Sequence, residues 1–190
     1  MVKLCAKCMS KKYGVVIFII LIFLFVHAEC YSEQKVIISE NSINSENTIY
    51  SDNKITEIEK KYIASAISYI TLEHEQLSLV VNTMQLANTN ETTLEGIRNA
   101  IINAQEITTS AYQQYKENTE KMNLSLELTG IDIKIKHSYY LINEAYSENL
   151  KFWNDDDAQH ILNAKDTMID GILLEKNIIS KISEIMDKVK

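Results

Sequence analysis

Histidine, cysteine and clustered acids are the residues of this 190-residue chain whose types suit chemistry. Glu73-His74-Glu75 sets an imidazole between two carboxylates, the donor types of a metal site or an acid–base pair. Adjacent residues on a helix point about 100° apart, so these three do not converge, and the run reads as a solvated helix face. A di-iron bundle needs Glu-x-x-His on two helices. The residues three before His74, His137 and His160 are Thr71, Lys134 and Asp157, and Asp157-x-x-His160 alone approaches that pattern. Asn154-Asp155-Asp156-Asp157 carries calcium-type oxygens, yet it lacks the Gly and the closing Glu of an EF-hand loop and reads as a helix cap. There is no G-x-S-x-G, no Gly-rich phosphate loop and no H-E-x-x-H. The chain is therefore expected not to be an enzyme, and to use no metal or cofactor.

The cysteines lead to the N-terminus. Cys5 and Cys8 form a C-x-x-C, but inside a stretch, Met1 to Lys12, with four lysines and no acid. Gly14 to Val26 follows as 13 residues without a polar side chain, then Val26-His27-Ala28 before Glu29. This is the basic region, apolar region and small-residue end of a secretory signal peptide, with cleavage expected after Ala28. The alternative is an uncleaved anchor, although a helix of this length spans ~20 Å against a hydrocarbon core of ~30 Å. In both readings the bulk of the chain lies outside the cytoplasm, because the lysines stay in. A third reading makes Cys30 a lipidated residue, against which Glu29 and His27 stand where small residues are needed. After cleavage Cys30 is the one thiol left, so an internal disulfide is impossible and the exported part must stand on its hydrophobic core.

Charge and composition narrow the partners. The chain has 18 lysines, one arginine (Arg98), four glycines and no proline, with a net charge of −7. Loss of residues 1–28 removes four lysines and no acid, which takes the charge to −11. Such a surface repels a polyanion, and a lone Arg cannot build a phosphate patch, so nucleic acid is not expected as a partner. Membrane contact is expected only through the N-terminal segment or a lipid. Few turn formers argue against many-stranded β folds and for long helices.

Residues 29–53 are polar and rich in Ser, Asn and Glu, and read as a tether. From residue 54 to 190 the apolar residues follow helical 3,4 spacing. The rows are Ile63, Ala66, Ile70, Glu73, Leu77, Val80, Met84, Ala87; then Leu94, Ile97, Ile101, Ala104, Thr108, Ala111, Tyr115, Asn118, Met122. A third runs Leu128, Ile131, Ile135, Ser138, Ile142, Ala145, Asn149, Phe152, and a fourth Ala158, Ile161, Lys165, Met168, Ile172, Glu175, Ile179, Ile182, Met186, Val189. Thr92 and Glu95 offer a capping box for the second row, and Asp155 to Asp157 a negative start for the fourth. Thr129-Gly130 reads as a helix stop, flanked by alternating Leu124–Leu128 and Ile131–Ile135. That alternation is also a β-hairpin signal, with helix–turn–helix favoured. The fold class expected is all-α: an elongated antiparallel bundle of about four helices behind a signal peptide and polar tether.

Tyr112, Tyr115, Tyr139, Tyr140 and Tyr146 flank the turn between the second and third helices, with Trp153 at the end of the third. Core and boundary packing is their ordinary use, and a partner-binding surface the alternative. Asn90-Glu-Thr92 and Asn123-Leu-Ser125 match glycosylation sequons. A Lys-rich, Arg-poor, Pro-free helical chain behind a signal and a polar tether resembles the helical surface antigens of Borrelia-type spirochaetes, the outer surface protein C and variable small protein group. The resemblance lies in overall character, and VHAEC departs from the usual spirochaetal lipidation site. It implies surface or periplasmic exposure and binding of host factors. The expected function is an exported interaction protein, adhesin- or antigen-like, that binds a host protein or itself. The alternative is a self-associating, membrane-associated or pore-forming bundle.

Overall fold

A computed structural model describes residues 55–88 and 91–188. The signal, the tether, Cys5, Cys8, Cys30 and Asn90 lie outside the described residues. Four helices account for nearly all of the rest: α1 (Glu57–Asn88), α2 (Leu94–Thr119), α3 (Leu126–Asp155) and α4 (Ala158–Asp187). At 26 to 32 residues they are about 39–48 Å long. Short connections force antiparallel neighbours. Tyr62 and Tyr69 of α1 meet Tyr115 and Tyr112 of α2, and Gln105 of α2 bonds Asn143 and Ser147 of α3. Ser138 and Glu148 of α3 meet Glu175 and His160 of α4, which completes an up-down-up-down bundle. The backbones of α3–α4 and α1–α2 run closest, and those of α1 and α4 approach least of the four neighbouring pairs.

The 3,4 rows account for the buried faces. On α1 every row position from Ile63 to Met84 is buried, and on α3 every one from Leu128 to Phe152. On α2 the buried face slips by one residue, so that Tyr112 and Thr119 are buried in place of Ala111 and Asn118. On α4 the shift has the opposite direction, and Ala164, Ile178 and Ile185 are buried in place of Lys165, Ile179 and Met186. A 3.6-residue helix drifts against a 3.5-residue row, which accounts for the forward shift on α2.

The helix ends differ from expectation in three places. Thr93, not Thr92, caps α2: its hydroxyl accepts from the Gly96 amide at 3.1 Å, and Glu95 turns to Arg98. A true reciprocal capping box opens α1, where Thr56 N donates to Glu59 Oε2 at 2.9 Å and Glu59 N to Thr56 Oγ1 at 3.2 Å. Thr129-Gly130 is no stop and no hairpin turn, because α3 already begins at Leu126 and runs through it. Leu128, Ile131 and Ile135 share one helical face and are buried together, and that burial decides between the two periods. The run of acids is divided between two helices. Asp155 closes α3, Asp156 takes a left-handed φ of 60°, and Asp157 caps α4 by accepting from Gln159 N at 2.9 Å.

Candidate functional site

The apolar core is two clusters, not one. One gathers Leu77, Val80, Ile97, Ile101, Ile142 and Ile172 with their neighbours, and the other Tyr62, Ile70, Tyr112, Ile135, Tyr139 and Ile178 with theirs. Between them, at mid-bundle, lies a layer of polar side chains from all four helices. Glu73 and His74 come from α1, Thr108 from α2, Ser138 from α3 and Glu175 from α4, and all are buried. Glu73 is 1% exposed and Glu175 0%. The expectation of a solvated face for Glu73 and His74 is therefore overturned. Both are enclosed because the position of α4 brings Glu175 up to this part of α1.

His74 Nε2 lies 2.7 Å from Glu175 Oε2, and Ser138 Oγ donates to Glu175 Oε1 at 3.3 Å. Burial pushes the Glu175 carboxyl up to about 7, with the contacts from Glu73 and Ser138 opposing. Burial drives Glu73 far above the ordinary carboxylate range, and the charge of Glu175 adds to it. Burial lowers the affinity of His74 for a second proton, against the pull of Glu73. A neutral His74 that donates through Nε2 to a Glu175 carboxylate satisfies both groups. Glu73 is close enough to Glu175 and to the Tyr69 hydroxyl for each to act on its acidity, yet neither of its oxygens has a partner in direct hydrogen-bond geometry. The Tyr69, Tyr146 and Thr108 hydroxyls share that condition. Buried Tyr69 and Tyr146 hold their phenolic protons, first by burial and then by the nearby charge of Glu73 and Glu175.

Two satellite networks fasten the ends. In one, the Tyr115 hydroxyl donates to Asp132 Oδ1 at 2.6 Å, with the Tyr62 hydroxyl 3.1 Å away and Lys136 Nζ 2.6 Å from Asp132 Oδ2. The rings of Tyr112 and Tyr139 stack at 3.8 Å and 7°. In the other, His160 meets carboxylates at both ring nitrogens, Nδ1 to Glu148 Oε2 at 2.7 Å and Nε2 to Asp155 Oδ2 at 3.0 Å. These contacts, Glu148 first, raise its pKa, while Lys151 and then His160 hold Glu148 down to about 2. The Asp157 carboxylate serves as a cap, and its backbone amide donates to Asp155 Oδ1 at 3.0 Å.

The aromatic residues singled out from the sequence divide sharply. Tyr112, Tyr115, Tyr139 and Tyr146 are buried, and Trp153 is partly buried against the first cluster. A partner-binding surface built on these four tyrosines is corrected to core packing, because their rings fill the space between helices. Tyr140 alone stands out, 63% exposed. Asn123, of the second sequon, is exposed in the α2–α3 connection.

The sequence did carry a signal for the polar layer. Glu73, Thr108, Ser138 and Glu175 each interrupt a largely apolar row, although Asn118, Asn149 and Lys165 interrupt the same rows elsewhere. Among the described residues, no group of three or more His, Cys, Asp and Glu is arranged to hold a metal ion, and no helix is long and apolar enough to cross a membrane. No family model, curated protein or solved structure matches the chain. Its class rests on the fold: an antiparallel four-helix bundle whose acid–base groups are sealed inside.

Proposed function

We propose that the chain is an exported helical-bundle interaction protein of a bacterial surface or periplasm, adhesin- or antigen-like, that grips a protein partner with the outside of its bundle. One observation carries the reading. Leu126, Ile133 and Tyr140 are exposed in 7-residue steps, two helical turns apart, and so form one apolar row along the outside of α3. An exposed apolar row rimmed by polar residues is the character of a partner surface. The sealed acid layer and the signal-like N-terminus support the same reading, and so does the resemblance to spirochaetal surface antigens.

Photo-reactive residues placed at Ile133 and Tyr140, with exposed Gln113 of α2 as control, test it in living cells. The expected result is one protein adduct shared by positions 133 and 140 and absent at 113. No adduct from the α3 row, or equal labelling from all three positions, would overturn it. The 7-residue spacing also favours self-association, and an adduct of twice the chain's mass assigns the row to a second copy.

A further inference from the structure

The outward face of α1 carries a second 3,4 row, from Ile58 through Lys61, Ser65, Ser68, Leu72 and Glu75 to Leu79. Ile58 is 48% exposed and Leu79 56%, so both ends of the row are apolar and open. Beside its middle lies a groove of about 530 Å³ between α1 and α2. Ala64, Ser65, Ser68 and Leu72 form the α1 wall, and Ile107 and Ala111 belong to the α2 wall. No lining residue is charged, in a chain where charged residues make up 24%. An uncharged groove edged by exposed Leu and Ile side chains has the character of a contact surface.

The order of residues about Ser68 decides what fits there. Lys61 lies seven residues before Ser68 and Glu75 seven after, and both are exposed. Ala64 lies four before and Leu72 four after, a small side chain matched by a large one. Ile58 lies ten before and Leu79 eleven after, apolar matched by apolar. A face whose two halves complement each other about one point fits a copy of itself turned by a two-fold axis.

We propose that a second copy of this chain docks on the α1–α2 face, with α1 antiparallel to α1 about a two-fold axis at Ser68. Lys61 of each copy meets Glu75 of the other, so the ion pair forms twice. Leu72 of each copy enters the groove of the other beside Ala64 and Ser65, where small side chains let the helices approach closely. The charges fix the direction, because a parallel pair would set Lys61 on Lys61 and Glu75 on Glu75. α1 and α3 are diagonal in the bundle, so the dimer leaves the apolar row of α3 open and does not depend on what that row binds.

The test is sedimentation equilibrium of the full chain at micromolar concentration, kept reduced so that no cysteine cross-links. The variants are Lys61→Glu, Glu75→Lys, these two combined, Ser68→Arg and Ile133→Ser. All four positions are exposed, so the core of the bundle is untouched. The expected mass of the natural protein is twice that of the chain. Each single charge reversal is expected to raise the dissociation constant by about tenfold or more, since it sets like charges together at both ends of the contact. The combined reversal returns the constant to near its natural value. Ser68→Arg gives a monomer, and Ile133→Ser leaves the dimer intact. A natural protein that stays monomeric overturns the proposal. So does a dimer that neither single reversal weakens, or one that the combined reversal fails to restore. A dimer that Ile133→Ser dissolves and Ser68→Arg spares overturns it as well, and assigns the contact to the α3 row.

Discussion

At Gly171 the helices α3 and α4 approach too closely for a side chain. A Cβ there would lie 2.6 Å from Ile142 Cγ1 and 3.3 Å from its Cδ1. Overpacking of this kind costs about 1–3 kcal/mol, more than the ~1 kcal/mol by which Ala exceeds Gly in a helix. Gly171→Ala is therefore expected to lower the unfolding temperature, and a rise in a thermal melt would show that Ile142 yields freely. His160 sets a second residue-scale expectation. Its pKa is raised, so its contribution is fully present below 6.5 and is lost as pH rises through the raised value. His160→Asn should destabilise the bundle at pH 5.5 more than at pH 8.5, and an equal loss at both would mean that the ring is neutral in the fold. Glu73, Thr108, Ser138 and Glu175 were legible one at a time, as polar residues on apolar rows. Their convergence was not, because one helix's sequence carries no record of its axial register against the next. The fate of His74 was hidden for a related reason: only the position of α4 decides that the residue beside the row is enclosed.

The elements were more legible than their ends. Four long apolar rows specified four helices, since burial of one face outweighs weak local propensity. The α2–α3 connection misled, because a Gly after a Thr is ordinarily a stop, yet here it lies in the first turns of α3. Gly130 is exposed, has nothing within 4 Å of a Cβ, and its φ is not positive. Gly130→Ala is thus expected to stabilise the protein by about 0.5–1 kcal/mol, measured as a shift in denaturation midpoint. A hairpin turn at the same position would require that glycine, so marked destabilisation would contradict the helical assignment. The contrast with Gly171, the same residue type with the opposite expected sign, lies in what surrounds each position.

For the whole molecule, the described fold divides its labour between inside and outside. The carboxylates around His160, buried Glu148 and exposed Asp155, are held below their ordinary values by the partners around them. Their contribution is present above those ordinary values and is lost as pH falls through the lowered ones, so acid loosens this network. Outside, the apolar row of α3, and the charge of −11 that cleavage after Ala28 would leave, are the features on which the proposed partner-binding function draws. Export is the premise on which that reading rests, and the intact mass of the native protein tests it most directly. Cleavage after Ala28 predicts a mass that begins at Glu29, with Cys30 as an unmodified thiol, in the extracytoplasmic fraction. Acyl chains on Cys30 would keep export and replace the cleaved form by a lipid-anchored one. A mass retaining Met1 in the cytoplasmic fraction would contradict export, and with it the proposed function.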